Sequence, residues 1–137
     1  MSNKLVMSPY GDFLGIEIES FGEGRALCSI AVKPQHFNAG GRIHGGVLTS
    51  LADSCAGVAV RSLRPEGVAS ATTDLNIAFI RPPMGDRLEV EAGVLHAGKR
   101  LYRVEMSVFS MTAGESESRK LVAKCNATFM LVFPDKA

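Results

Sequence analysis

The sequence predicts a two-layer α+β domain, one apolar helix laid against one antiparallel sheet. Three observations carry that prediction. Val47 to Val60 (VLTSLADSCAGVAV) holds no lysine, arginine or glutamate, and its only formal charge is Asp53. A helix apolar on nearly all sides is a buried helix. Beyond it, apolar residues recur at every second position in four successive stretches, the period of half-buried strands. The breaks between those stretches are short, which favours antiparallel neighbours. An apolar helix and a one-sided sheet must bury each other.

Residues 1–12 read as a lead-in to a single domain spanning 1–137. Gly15 to Ser20 alternates apolar and acidic residues, and Arg25 to Val32 reads as a second strand stopped by Lys33-Pro34. Pro34 to Gly41 is loop. Gly45 or Gly46 opens the helix, which should run to about Ser62, before the breaker cluster Arg64-Pro65-Glu66-Gly67. Four strands follow. Thr73, Leu75, Ile77 and Phe79 alternate with Asp74, Asn76 and Ala78. Leu88, Val90, Ala92 and Val94 mark the next, then Tyr102, Val104, Met106 and Val108, and last Leu121 through Leu131. In this reading the four form a meander. The helix is apolar on more faces than one sheet can cover, which predicts that another subunit hides its remaining side and that the protein is an oligomer.

Composition narrows the function. The chain has 137 residues, 46% hydrophobic and 21% charged, within the range of ordinary soluble domains. A net charge of +1 gives no general attraction to nucleic acid or an acidic membrane. Cys28, Cys55 and Cys125 are scattered and form no CxxC, so they read as buried thiols in a reducing cytosol. The start (MSNKLVMSPYGDF) lacks the apolar core of a secretory signal. No run of about 18 apolar residues is present, and the expected location is cytoplasmic. His36, His44 and His96 lack HExxH spacing, no Cys/His cluster has zinc spacing, and GxSxG and P-loop patterns are missing.

Asp53 and the segment before the helix carry the chemistry. The first turn of a helix presents unpaired N–H groups and a partial positive charge. His44-Gly45-Gly46 opens the helix with residues that let a ligand approach the backbone. Such an entrance suits a phosphate, a carboxylate or an oxyanion forming on a carbonyl. Asn38 could add an amide donor. Asp53 lies eight residues beyond Gly45, roughly 12 Å along the axis. One chain cannot bring both to one atom. Two antiparallel helices across a two-fold axis would, with Asp53 as base on a water or as nucleophile. Structural roles remain open beside these. Asp53 could bond backbone or hydroxyl neighbours, and the glycines could serve turns and close packing.

The segment Asn38…His44-Gly45-Gly46-x6-Asp53, with the later TTDLNIAFIRPPMGDRLEVEAGVLHAGKRLYRVE, resembles the hotdog-fold acyl-CoA thioesterases, particularly the phenylacetate-pathway (PaaI-type) group. The resemblance implies a long central helix wrapped by a curved antiparallel sheet of five to six strands. It implies that sheets join edge to edge in dimers, often as dimers of dimers, with sites at the subunit interface. It assigns the carbonyl-polarising amide to Gly45, assisted by Asn38. His44 shapes the turn, and Asp53 of the other subunit supplies or activates the nucleophile. Thr72, with Thr73 as rival, is the hydroxyl residue near the carboxylate. Gly46, Arg81, Lys99 and Arg100 are the candidates for holding substrate or coenzyme A (CoA). No cofactor is implied beyond the CoA carried by the substrate, and no metal. Phe13, Phe37, Leu51, Val58 and Met84 are candidates to line an acyl tunnel, with an aromatic or medium-chain acyl group expected. Two other functions stay open: a non-hydrolytic acyl-CoA-binding protein, and a hotdog dehydratase or hydratase.

Overall fold

The computed structural model describes residues 6–135, so residues 1–5 of the lead-in lie outside the described residues. A short helix α1 (Pro9–Leu14) precedes strands β1 (Ile16–Gly22) and β2 (Arg25–Ala31). A 3-10 turn (Pro34–His36) leads to the long helix α2 (Gly45–Arg61). Strands β3 (Ala69–Phe79), β4 (Arg87–Ala97), β5 (Leu101–Thr112) and β6 (Glu115–Val132) follow. Helix α1 begins inside the segment read as lead-in. Its 6 residues are too few to show a period; Ser8 caps it by accepting the Gly11 amide, and Gly15 ends it at φ 83.

All six strands form one antiparallel sheet in the order β1-β2-β4-β5-β6-β3. The expected four-strand meander therefore holds only for β4, β5 and β6. Strand β3 lies at the far edge, beside β6. The link at 80–86 carries the chain back: Ile80 donates to Val122, and Asp86 donates to Met111. Crossing three strand intervals takes about 14 Å, and seven extended residues reach roughly 23 Å. A short link thus need not join neighbours.

The sheet curls around α2, which packs on all six strands. Val47, Leu48, Leu51, Ala52, Cys55, Ala56, Val58, Ala59 and Val60 are buried within the one chain. The curvature covers faces that a flat sheet would leave open, so the apolar excess does not by itself demand a second subunit. What remains accessible is a polar, small-residue strip of Ser50, Asp53, Ser54, Gly57 and Arg61. Their spacing places them along one side of the helix.

On the opposite, outer face, charged side chains span the strands. Arg87 pairs with Glu19 and Glu89, and Arg119 pairs with Glu89 and Glu91. Arg119 also stacks over the Phe109 ring, 3.6 Å from its centroid. Burial would raise the Glu89 carboxyl, but Arg87 and Arg119 outweigh it and hold the group below its ordinary value. The three thiols are free and buried. Contact with Cys28 and burial push the Cys55 thiol up, and burial pushes Cys125 up to about 11. Cys55 and Cys125 are therefore poor nucleophiles near neutral pH.

Candidate active site

The loop before α2 is built around Asn38 and His36. The Asn38 side-chain oxygen accepts the Gly40 amide at 2.9 Å and the Arg42 amide at 3.0 Å. Both partners are donors, so the amide orientation is determined. The NH2 group has no acceptor among the described residues and remains available as a donor. His36 is fully buried. Its ring bonds the Leu14 carbonyl and accepts the Lys33 amide, while its own carbonyl accepts the His44 amide. That residue ties α1, the loop and the start of α2 together. Its burial, invisible in the sequence, is why sequence reasoning passed it over.

His44 occupies the N-cap of α2, and its Nδ1 accepts the Gly46 amide at 2.8 Å. The Gly46 amide is therefore engaged by the chain itself and is not free for substrate. A Cβ on Gly46 would lie 2.9 Å from that ring nitrogen, so the cap needs a glycine there. Gly45 has no acceptor for its amide among the described residues, as the first turn of a helix dictates. A Cβ on Gly45 would approach the Phe79 ring to 3.3 Å. The end of β3 thus closes over the helix N-terminus.

Asp53 is half-buried rather than embedded in the core. Its Oδ1 accepts the Thr72 hydroxyl at 2.7 Å. Thr72 faces the helix because of a bulge: Thr72 pairs with Phe129 and Asp74 with Thr128, leaving Thr73 as the extra residue. Without it, period-two alternation with Leu75 and Ile77 would aim Thr73 at the helix. The Thr73 hydroxyl instead donates to the Thr128 carbonyl.

Other candidate residues scatter. Arg81 lies just past the end of β3, whereas Lys99 and Arg100 lie in the β4–β5 turn, where Arg100 accepts the Leu131 amide beside the start of β3. The length of β3, about 33 Å, separates them, so one chain does not gather these three cations. Leu51 is fully buried in the core and lines no opening. Phe37 and Met84 line a groove of about 420 Å³ with Arg42, beside the Asn38 loop. Val58 lines a cavity of about 260 Å³ that also touches Ser54 and Thr72. Phe13 is exposed on α1 and lines neither. Among the described residues, no cluster of three or more His, Cys, Asp or Glu side chains could hold a metal ion.

The thioesterase superfamily pattern matches residues 40–117, from the glycine loop into the start of β6. The chain belongs to that superfamily. It is 42% identical to the acyl-coenzyme A thioesterase PaaI of Escherichia coli over 96 residues, covering 68% of this chain and 66% of that relative. A thioesterase family protein from Silicibacter pomeroyi superposes with a TM-score of 0.87 at 25% identity, over 93% of this chain and 91% of that one. A Bacillus halodurans protein crystallised with CoA superposes with a TM-score of 0.81 at 26% identity, over 93% of this chain and 81% of that one. The central helix and six-stranded antiparallel sheet are thus the hotdog architecture of the thioesterases. No described helix is long and apolar enough to cross a membrane.

Proposed function

We propose that this protein hydrolyses acyl-CoA thioesters at sites shared between two subunits. One observation carries the reading: on one helix, a free N-terminal amide and a hydroxyl-bonded carboxylate lie too far apart to serve one substrate. Gly45 and Asp53 are separated by about 12 Å of helix. A two-fold partner running antiparallel removes the separation. Strand β3 supplies the joint in this reading. It is one of the sheet's two edges, opposite β1, and is exposed along most of its length, with Phe79 and Ile80 exposed at its end. An uncovered edge of 11 residues is a template for another strand. Pairing β3 with its copy lays the two α2 helices side by side and brings Asp53 opposite the partner's Gly45. A dimer, or a dimer of dimers, would be the working particle.

In the site so formed, the Gly45 amide and the Asn38 NH2 donate to the thioester carbonyl oxygen and stabilise its developing charge. Asp53 of the other subunit either takes a proton from the attacking water or attacks the carbonyl carbon itself. The carbon–sulfur bond then breaks and CoA leaves as thiolate; in the second route water then cleaves the acyl–Asp53 anhydride, releasing the acid and restoring the carboxylate. Thr72 holds the carboxylate by its hydroxyl. Gly46 touches no substrate in this reading: its amide holds the His44 ring, and its missing side chain leaves room for that cap. Arg81, Lys99 and Arg100 are surface cations for the CoA phosphates, Arg81 at the opposite end of β3 from the other two. The buried, free thiols suit a cytoplasmic setting and take no part in the chemistry. His44 and Asp53 lie nine residues apart, roughly 13 Å along the helix. Within one chain they cannot form the acid–base pair a dehydratase would use.

Thiol release from acyl-CoA tests the activity, and subunit mixing tests the shared site. Asp53→Asn should lower kcat by about two to four orders of magnitude while acyl-CoA still binds. Asn38→Ala should also be strongly impaired. Co-refolding the two at equal amounts makes half of the dimers mixed, each with one intact site, and about a quarter of the wild-type rate should return. No recovery would reject the shared site. Binding without thiol release by the wild type would reject hydrolysis and favour a sensor.

A further inference from the structure

We infer that the acyl group this protein accepts ends in a second carboxylate, which Arg61 and Arg64 bind at the far end of the 260 Å³ cavity. This rests on the thioesterase reading above and specifies the substrate of that site. The cavity begins at Ser54 and Thr72, beside Asp53, and runs along the accessible strip of α2 toward its C-terminus. Ile18, Val58 and Phe129 supply apolar wall, suited to methylene groups. Arg61 and Arg64 line the other end. Ser54 and Arg61 are two helical turns apart, about 10 Å, and long side chains lean back toward the helix N-terminus. The span suits a short chain rather than a long fatty acyl group.

The two guanidiniums are placed for an anion. Arg64 donates to the Ser70 hydroxyl at 2.9 Å, which orients it. Among the described residues neither arginine forms an ion pair, whereas Arg87 and Arg119 on the outer face do. Glu66 borders the adjoining hollow with both arginines but bridges to neither. Burial, and then the charge of Arg61, hold Arg64 below its ordinary value. Two like charges brought together beside a cavity, without a carboxylate partner, repel until an anion arrives. A planar guanidinium matches a carboxylate by paired hydrogen bonds. An open groove with one apolar wall and two unpaired arginines on its lining therefore suits a dicarboxylic acid monothioester.

The test compares succinyl-, glutaryl- and adipyl-CoA with butyryl-, pentanoyl- and hexanoyl-CoA by thiol release. The wild type should favour the best carboxyl-terminated substrate over its uncharged counterpart by at least about tenfold in kcat/KM, the value of one charge-assisted hydrogen bond or more. That preference should shrink as salt is raised. In Arg61→Gln/Arg64→Gln, checked for folding by circular dichroism, the ratio should fall toward one, and Arg61→Lys/Arg64→Lys should restore part of it. A wild-type ratio near or below one overturns the inference, and that arm needs no variant. So does a variant that raises KM equally for every thioester, which would place these arginines on CoA. If none of the six releases thiol but phenylacetyl-CoA or octanoyl-CoA does, this inference alone fails; if those two are inert as well, the hydrolase reading itself fails.

Discussion

Thr72→Val isolates the hydroxyl that holds Asp53. Valine keeps the shape and the β-branch that suits an edge strand, and removes only the 2.7 Å bond to Oδ1. A hydrogen bond to a charged group contributes about 1.5–3 kcal/mol. Thr72 is exposed in the single chain, so solvent screening lowers the useful figure to about 1–2 kcal/mol. If that bond aims the carboxylate during reaction, kcat should fall roughly 5- to 30-fold with KM little changed. Stability should move by no more than about 0.5 kcal/mol, because the position is exposed. Thr73→Val is the control: it removes a bond to the Thr128 carbonyl and should lower kcat less than about threefold. Steady-state thiol release from one acyl-CoA, with thermal melts of each variant, reads all of this. Thr72→Val within about twofold of wild-type kcat, or a loss carried wholly by KM, would refute the reasoning.

Three further outcomes follow from other contacts. Asn38→Asp keeps an oxygen to accept the Gly40 and Arg42 amides but loses the free NH2, whereas Asn38→Ala loses both. Both should lower kcat more than they raise KM, and only Asn38→Ala should lower Tm; unchanged kcat in both would remove Asn38 from the chemistry. Gly46→Ala would set a Cβ 2.9 Å from His44 Nδ1 and displace the cap. The cost should be about 1 kcal/mol, or roughly 3–5 °C in Tm, with a loss of activity as the Gly45 amide shifts; a variant as stable as wild type would show that the ring moves freely. Glu89 titrates below its ordinary 4.5 in the folded chain. Its contribution is fully present above that pH and lost as pH falls through the folded value. Glu89→Gln should therefore cost about 1–2 kcal/mol at pH 7, with the gap to wild type closing as pH falls below 4.5 in denaturant titrations. A gap independent of pH would mean that packing, not charge, sets the cost.

Much of this could be read from the residue pattern, because local physics dictates it. The apolar run with one acid marks α2, period-two alternation marks the long strands, and His44-Gly45-Gly46 marks the helix start. Helix α1 escaped because a single capped turn has no period, and His36 because burial of a loop histidine leaves no local trace. The choice between Thr72 and Thr73 depends on one bulge, and adjacent threonines look alike on either side of it. The edge position of β3 escaped because the length of the 80–86 link permits both a neighbour and a crossing.

Strand period, helix boundaries and the isolated acid belong to the sequence itself, since each depends on residues a few positions apart along one backbone. The three-dimensional fold decided what distant residues do together. It wrapped the sheet far enough to bury the apolar helix without help, and left a polar strip as the accessible side. It used the Gly46 amide for the His44 cap, turned Thr72 onto Asp53, and separated Arg81 from Lys99 and Arg100. It also set Arg61 and Arg64 at the end of one cavity. Curvature, bulges and strand order are long-range properties, settled by how the whole chain closes on its core, and the pattern of neighbouring residues does not contain them.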